Sequence, residues 1–108
     1  MSLANMKDLL NQARQGNYAV GMFVMYDIEM ATGLIQAAEE TNSPLIMAYG
    51  ELAEELVSIR HLSKAVHSMI GEAKVPIALH WDHGSGLDIA ALALRSGFTS
   101  VMIDASAE

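Results

Sequence analysis

The 108-residue chain contains no cysteine, and it carries only six lysine and arginine residues against thirteen aspartate and glutamate residues. Without cysteine there is neither a disulfide framework nor a thiolate metal site, so any metal ion must be held by nitrogen and oxygen ligands. This composition fits a reducing cytoplasm. The net charge of −7 repels phosphate backbones and argues against a nucleic-acid partner.

Long apolar segments are also missing. No apolar run reaches the roughly 18 residues that a membrane helix needs, and no positively charged segment followed by an apolar stretch opens the chain. The sequence therefore predicts a cytoplasmic protein that has no membrane partner. The length allows at most one ordinary domain.

Apolar residues recur with helical and strand spacing in alternating segments. The pattern predicts a helix that starts near Met6 and ends at Gly16-Asn17, and then strands at 18–24, 45–49, 77–80 and 99–103. Between the strands it predicts a helix with Asp27 as its N-cap, one long helix from Leu52 to Ile70, and a helix from Leu87 to Leu94. The second helix carries one apolar stripe, made of Met30, Leu34, Ala37, Ala38 and Thr41. The last helix is marked by Leu87, Ala90, Ala91 and Leu94.

The order helix, then β-α-β-α-β-α-β, predicts an α/β fold with a parallel sheet, right-handed crossovers and helices packed outside. A (β/α)8 barrel takes about 250 residues and eight strands, whereas this pattern supplies four. We therefore expect residues 1–108 to be a single unit, the N-terminal half of a TIM barrel whose second half is missing. The first and last strands are expected to expose unpaired edges that favour aggregation or pairing with another copy.

The segment Ile77 to Gly84 places reactive side chains where a buried strand ends. Alternation along the strand puts Ile77, Leu79 and Trp81 on the face that packs against helices, and Ala78, His80 and Asp82 on the inner face, with His83 following. A carboxylate can move a proton and an imidazole can hold a metal ion, so Asp82 and His83 offer two catalytic groups. The three-residue spacing predicts that His80 and His83 point to opposite faces.

Three segments of the chain resemble the class II, metal-dependent ketose-bisphosphate aldolases. These are VPIALHWDHG at 75–84, SGFTSVMIDAS at 96–106 and AAEETNSPLI at 37–46. The pairing of the Asp-His-Gly strand end with the Met-Ile-Asp strand end is fairly specific, and the resemblance spans nearly the whole chain.

The resemblance implies a (β/α)8 barrel that cleaves or forms fructose or tagatose 1,6-bisphosphate, with dihydroxyacetone phosphate and glyceraldehyde 3-phosphate as the products of cleavage. It implies Zn²⁺ or another divalent metal as cofactor, a sugar phosphate as the small-molecule partner, and a homo-oligomer, dimer or tetramer. By position, Asp82 matches the catalytic acid/base, His83 a zinc ligand, and Asp104 an acidic residue near a second metal position. The other two histidine ligands and the glycine-rich phosphate loops of the family would lie beyond Glu108, so the 108-residue chain is expected to be inactive alone.

Two departures from the family pattern concern the mouth of the barrel. Where the family has Phe-Asn-x-Asn-Asn, this chain has Phe23-Val24-Met25-Tyr26-Asp27, and Gly50 replaces a serine common after the second strand. Both changes remove hydrogen-bonding groups, which puts the usual substrate in doubt more than the metal. A different phosphorylated ketose or aldol is therefore an open alternative.

The sequence also allows other interpretations. The chain could be a complete half-barrel that dimerises or serves as a non-catalytic binding module, or another metal enzyme on the same barrel, for example a hydrolase that uses His80 and His83 together. Taken alone, His83 could be a loop histidine bonded to backbone, and His80 a structural group. His61 and His67 are expected at the surface or edge of a helix, and Gly50 and Gly84 are either plain turn glycines or glycines of the site.

Overall fold

The structure is a computed structural model that describes residues 2–106. Four parallel strands form one sheet in the order β1-β2-β3-β4, so each strand lies beside its neighbour in sequence. The elements in chain order are α1 Met6–Gly16, β1 Met22–Val24, α2 Ile28–Glu40, β2 Leu45–Gly50, a short 3₁₀ helix Glu51–Glu55, α3 Ile59–Glu72, β3 Ile77–Gly84, α4 Leu87–Arg95 and β4 Ser100–Ile103. This arrangement is half of a (β/α)8 barrel, as the alternation in the sequence predicts.

The two faces of the sheet are packed differently. The outer face carries large side chains that pack against the helices in the main core, and Trp81 lies there with Tyr49 and Phe98, at ring-centroid distances of 5.0 and 5.4 Å. The inner face carries Ile46 and Ala78, which form a second, smaller cluster with Leu9. The predicted alternation of β3 is confirmed, because Ile77, Leu79 and Trp81 all belong to the main core.

Helix α1 covers the inner face near the amino ends of the strands. Its Leu9 packs against Ile46 and Ala78, and the segment before it pairs with β3, where the backbone N–H of Ala4 donates to the carbonyl of Ile77 at 2.7 Å. Asn17 ends the helix in the left-handed conformation, with φ 57°, as its sequence predicts. The amino end of the half-barrel is thus closed by the first helix of the chain.

Several predicted boundaries and faces are wrong. The first strand is Met22–Val24, shorter than 18–24, and the predicted helix from Leu52 to Ile70 is divided into the 3₁₀ helix and α3. Helix α2 buries Ala31, Ile35 and Ala38, so of the predicted stripe Ala38 is buried and Leu34 partly buried, while Met30, Ala37 and Thr41 are exposed. Helix α4 buries Ala93, while Leu87 and Leu94 are exposed.

The outer strands leave apolar side chains in solvent. The exposed residues at these edges are Met22, Phe23 and Val24 in β1, and Met102 and Ile103 in β4. Both strands have a partner on one side only. None of the helices within residues 2–106 combines the length and apolarity needed to cross a membrane.

Candidate active site

The carboxyl ends of all four strands surround one open cavity of about 570 Å³. Parallel strands present their carboxyl ends at the same edge of a sheet, which is where barrels of this type place their functional residues. The residues that line the cavity are Val24 at the end of β1 and Tyr26 after it, Gly50 at the end of β2 with Glu51 and Leu52 after it, Asp82 and His83 at the end of β3, and Asp104 after β4.

Asp82 lies between two imidazole rings. Its Oδ1 is 3.3 Å from Nε2 of His80, and its Oδ2 is 3.5 Å from Nε2 of His83. The Asp82 side chain keeps 16% of its surface exposed, so the carboxylate is shielded but still reaches the cavity. The structure therefore brings Asp82 and His83 together, as the sequence predicts.

The prediction that His80 and His83 point to opposite faces is wrong, because β3 is not regular at its end. Its register with β4 shifts between Trp81 and Gly84, and His83 has the left-handed backbone conformation with φ 54°. Such a bulge re-aims a side chain. Both imidazoles thus contact the Asp82 carboxylate, each at a different oxygen.

His83 forms a second carboxylate contact, with Asp104. Its Nδ1 is 2.7 Å from Oδ2 of Asp104, and Oδ1 of Asp104 accepts a hydrogen bond from the backbone N–H of Ser106 at 2.9 Å. The hydrogen bond to Asp104, together with the nearby charge of Asp82, raises the pKa of His83 above its ordinary value of 6.5. Hydrogen bonds from Ser106 and His83 hold the pKa of Asp104 well below its ordinary value of 3.8.

Two polar partners in the site have no signal in the sequence. Nδ1 of the buried His80 is 2.8 Å from the hydroxyl of Ser100, which lies directly opposite it in β4. Glu51 accepts a hydrogen bond from the backbone N–H of Ser85 at 3.0 Å, and so joins the 3₁₀ helix to the turn after β3. Only the register of β3 against β4 would have identified Ser100.

The side chains of His83 and Asp104 determine how a divalent metal ion could bind at the cavity. Because Asp104 occupies Nδ1 of His83, Nε2 is the nitrogen left for a metal ion, and a carboxylate on the other nitrogen is the usual support of a histidine ligand. Both oxygens of Asp104 already have hydrogen-bond partners. Within residues 2–106 no group of three or more His, Cys, Asp or Glu side chains is arranged to hold a metal ion. His83 alone fits as a single ligand.

The remaining histidines lie away from the cavity, on α3. His61 is exposed, and Nε2 of the partly buried His67 is 3.0 Å from the carbonyl of Ser96. Both positions agree with the prediction that these residues lie on the surface or edge of a helix.

Comparison with known proteins identifies the family. Residues 4–108 match the family model described as fructose-bisphosphate aldolase class-II, and the chain belongs to that family. Among curated relatives, 6-phospho-5-dehydro-2-deoxy-D-gluconate aldolase of Halalkalibacterium halodurans is 42% identical over 98% of this chain, and a probable fructose-bisphosphate aldolase of Bacillus subtilis is 41% identical over 98%. The chain spans 38% of the length of each of these two proteins.

A solved structure agrees with this result. The YdjI aldolase from Escherichia coli K12 superposes with a TM-score of 0.93 at 38% sequence identity, over 98% of this chain and 41% of that one. The predicted family and the predicted half-barrel fold are therefore confirmed.

Proposed function

We propose that the protein is a metal-dependent aldolase that cleaves and forms a ketose 1,6-bisphosphate of the fructose or tagatose type, with dihydroxyacetone phosphate and glyceraldehyde 3-phosphate as the cleavage products. The observation that carries this proposal is the Asp82 carboxylate at the cavity, beside Nε2 of His83 at 3.5 Å. Membership of the class II family and the two aldolase relatives support it.

In this reaction Asp82 is proposed as the acid/base. Oδ2 of Asp82 faces His83 and the cavity, and it would take the proton from the C4 hydroxyl as the carbon–carbon bond breaks, then return it in the condensation. A divalent cation, when bound, supplies Lewis-acid stabilisation of the negative charge that develops beside the substrate carbonyl.

His83 is proposed to bind the cation, Zn²⁺ or another divalent metal, through Nε2. The predicted role of Asp104 as a metal ligand stays a prediction, and the hydrogen bonds it makes favour a role in which it orients the His83 ring. A catalytic zinc site needs about three protein ligands. The inactivity of residues 1–108 alone, the cytoplasmic location, and the dimer or tetramer likewise stay predictions.

Aldol cleavage is tested by assaying the complete gene product that contains this chain. Purified protein is incubated with fructose and tagatose 1,6-bisphosphates, with zinc and after chelation. Asp82→Asn is expected to lower kcat by about 10²-fold or more, since general acid/base catalysis contributes that much, with zinc content unchanged. His83→Ala is expected to lose both zinc and activity. Glu29→Gln and His61→Gln, which alter exposed side chains on α2 and α3, serve as controls. Absence of metal-dependent cleavage of any ketose bisphosphate would refute the proposal.

A second candidate substrate is 6-phospho-5-dehydro-2-deoxy-D-gluconate. One relative carries the name of that aldolase activity, and the cavity has the apolar Val24 where the family pattern has an amide and Gly50 where it commonly has a serine. The same panel separates the two substrates. A kcat/KM that is higher for the deoxygluconate phosphate than for either ketose bisphosphate would favour this candidate.

A further inference from the structure

We propose that His80 is a positioning residue, which holds Oδ1 of Asp82 through its Nε2 while Ser100 fixes its ring. His80 is only 8% exposed and lies on the inner face of β3, so its ring has little freedom to reorient. The kinetic part of this inference rests on the proposed aldol reaction, whereas the geometric part does not.

The hydrogen-bonding capacity of each group determines the direction of the contacts. An ionised carboxylate only accepts hydrogen bonds, so the Nε2 of His80 that lies 3.3 Å from Oδ1 must carry a proton to make a favourable contact. In a neutral ring the other nitrogen, Nδ1, then has no proton and accepts from the hydroxyl of Ser100, 2.8 Å away. The Asp82 carboxylate thereby selects the tautomer, and the serine hydroxyl, which can donate or accept, accommodates it.

The sulfur of Met6 is a second hydrogen-bond acceptor for the hydroxyl of Ser100. Sδ of Met6 is 3.5 Å from the hydroxyl of Ser100 and can accept its proton. If the His80 ring is charged, Nδ1 donates to the oxygen of Ser100, and the hydroxyl turns to the sulfur. In both charge states Nε2 carries a proton on the side of Asp82, so the same ring nitrogen faces the carboxylate.

This arrangement distinguishes the two oxygens of Asp82. Oδ1 is held from within the sheet, and Oδ2 remains on the side of His83 and the cavity. A carboxylate fixed in this way presents the same oxygen to every substrate molecule. Loss of the contact should therefore slow the chemical step more than it weakens binding.

Kinetics of the complete gene product test the positioning role with two amides. Glutamine places an amide nitrogen near the position of Nε2, whereas asparagine reaches only the position of Nδ1. His80→Asn is expected to lower kcat by about 10- to 100-fold, the order of effect of a small misplacement, with KM nearly unchanged. For His80→Gln, the logarithm of the fold loss in kcat is expected to be at most half of that for His80→Asn. His61→Gln is expected to match wild type. Equal losses in the two His80 variants, or a change confined to KM, would overturn the role.

A second variant avoids disturbing the buried ring. Ser100→Ala removes the partner of Nδ1 and leaves His80 in place, and we expect it to reduce kcat by a few fold without a matching change in KM. Unchanged kcat in this variant would mean that Ser100 does not fix the ring.

Nitrogen-15 NMR of the histidine rings provides a readout besides activity. In wild type we expect a proton on Nε2 of His80, and in Asp82→Ala a mixture of tautomers, while Glu29→Ala leaves the spectrum unchanged. A wild-type ring protonated on Nδ1 alone would refute the positioning role whatever the activity. Conversely, absence of aldol cleavage in wild type together with the expected spectrum would refute the proposed function and leave the geometry intact.

Discussion

At the scale of single residues, Gly84 allows the end of β3 to pack against β4. A Cβ atom at this position would lie 2.9 Å from the backbone carbonyl oxygen of Met102, and that oxygen belongs to the neighbouring strand. The same glycine accepts a hydrogen bond from the backbone N–H of Asp104 at 2.8 Å. The two carboxylate-bearing strand ends of the site therefore meet at a residue that needs to be small.

Gly84→Ala is expected to destabilise the protein by about 1–3 kcal/mol, as forced overpacking typically does. The matched control is Gly50→Ala, because no heavy atom lies within 4 Å of the Cβ it would add and its backbone is extended, with φ −87°. Urea unfolding of the variants measures both free energies. Equal stabilities of Gly84→Ala and Gly50→Ala would contradict the steric explanation.

The ion pair of His83 with Asp104 predicts a defined pH dependence in metal-free protein. The raised pKa of His83 means that its contribution to stability is fully present below its unfolded value of 6.5 and is lost as pH rises through the folded pKa. The lowered pKa of Asp104 means that its contribution is present above 3.8 and is lost as pH falls toward the folded value. The ion pair should therefore stabilise the fold most between pH 3.8 and pH 6.5.

NMR titration in the presence of a chelator checks this pair directly. We expect the midpoint of His83 to lie above 6.5 and to fall in Asp104→Asn, whereas Glu29→Gln should leave it unchanged. The stability difference between wild type and Asp104→Asn should shrink as pH rises through the His83 midpoint. A midpoint that does not respond to Asp104→Asn would contradict the assignment.

The sequence predicts part of this site and misses the rest for a geometric reason. Asp82 and His83 are adjacent in the chain, and the strand that carries them is marked by its apolar run, so their proximity could be predicted. The contact of His80 and His83 with the same carboxylate depends on a bulge, which one-residue alternation does not anticipate. Ser100 is distant in sequence, and its role depends on the strand register.

At the scale of elements, helix α2 begins at a side-chain cap. Oδ1 of Asp27 accepts a hydrogen bond from the backbone N–H of Met30 at 2.7 Å, and its backbone is extended, as N-cap residues usually are. The sequence predicts this start correctly, since an acidic residue precedes a run with helical spacing.

Asp27→Ala should reduce the free energy of unfolding by about 1 kcal/mol, the typical loss for an N-cap. Asp27→Asn keeps an oxygen at the same position and is the matched control, for which we expect little change. Thermal or urea unfolding followed by circular dichroism provides the measurement. A loss in the asparagine variant as large as that in the alanine variant would show that charge, and not capping, is responsible.

The break between the 3₁₀ helix and α3 could not be predicted from spacing. Apolar residues continue at helical intervals through this break. However, Oε1 of Glu54 accepts a hydrogen bond from the backbone N–H of Ile59 at 2.8 Å. The hydroxyl of Tyr49 donates a hydrogen bond to the carbonyl of Val57 at 2.7 Å. These side chains satisfy backbone groups that a continuous helix would pair internally. Leu52 is consequently 90% exposed, although its spacing predicts burial.

At the scale of the whole molecule, the sheet ends in two unprotected edge strands. Phe23 in β1 is 52% exposed and Ile103 in β4 is 48% exposed, and each strand has unpaired backbone groups on its outer side. Exposed apolar edges favour pairing with another chain. The alternation of elements predicts this state, since four parallel strands cannot close a barrel.

Phe23→Lys is expected to reduce self-association of the 108-residue chain, by roughly twofold or more in the fraction larger than monomer, because charged lysine protects an edge strand. Leu10→Lys is the control, since Leu10 is 45% exposed but lies on α1, away from either edge. Sedimentation velocity over a range of concentrations distinguishes the variants. The same reduction in both would assign the effect to net charge and not to the edge.

The position of α1 also sets the direction from which small molecules reach Asp82. Leu9 fills the interior at the opposite end of the strands, against Ile46 and Ala78. Leu9 therefore blocks access to the carboxylate along the interior from that end. A small molecule that approaches from the carboxyl ends of the strands passes Tyr26 and Leu52, which line the cavity there.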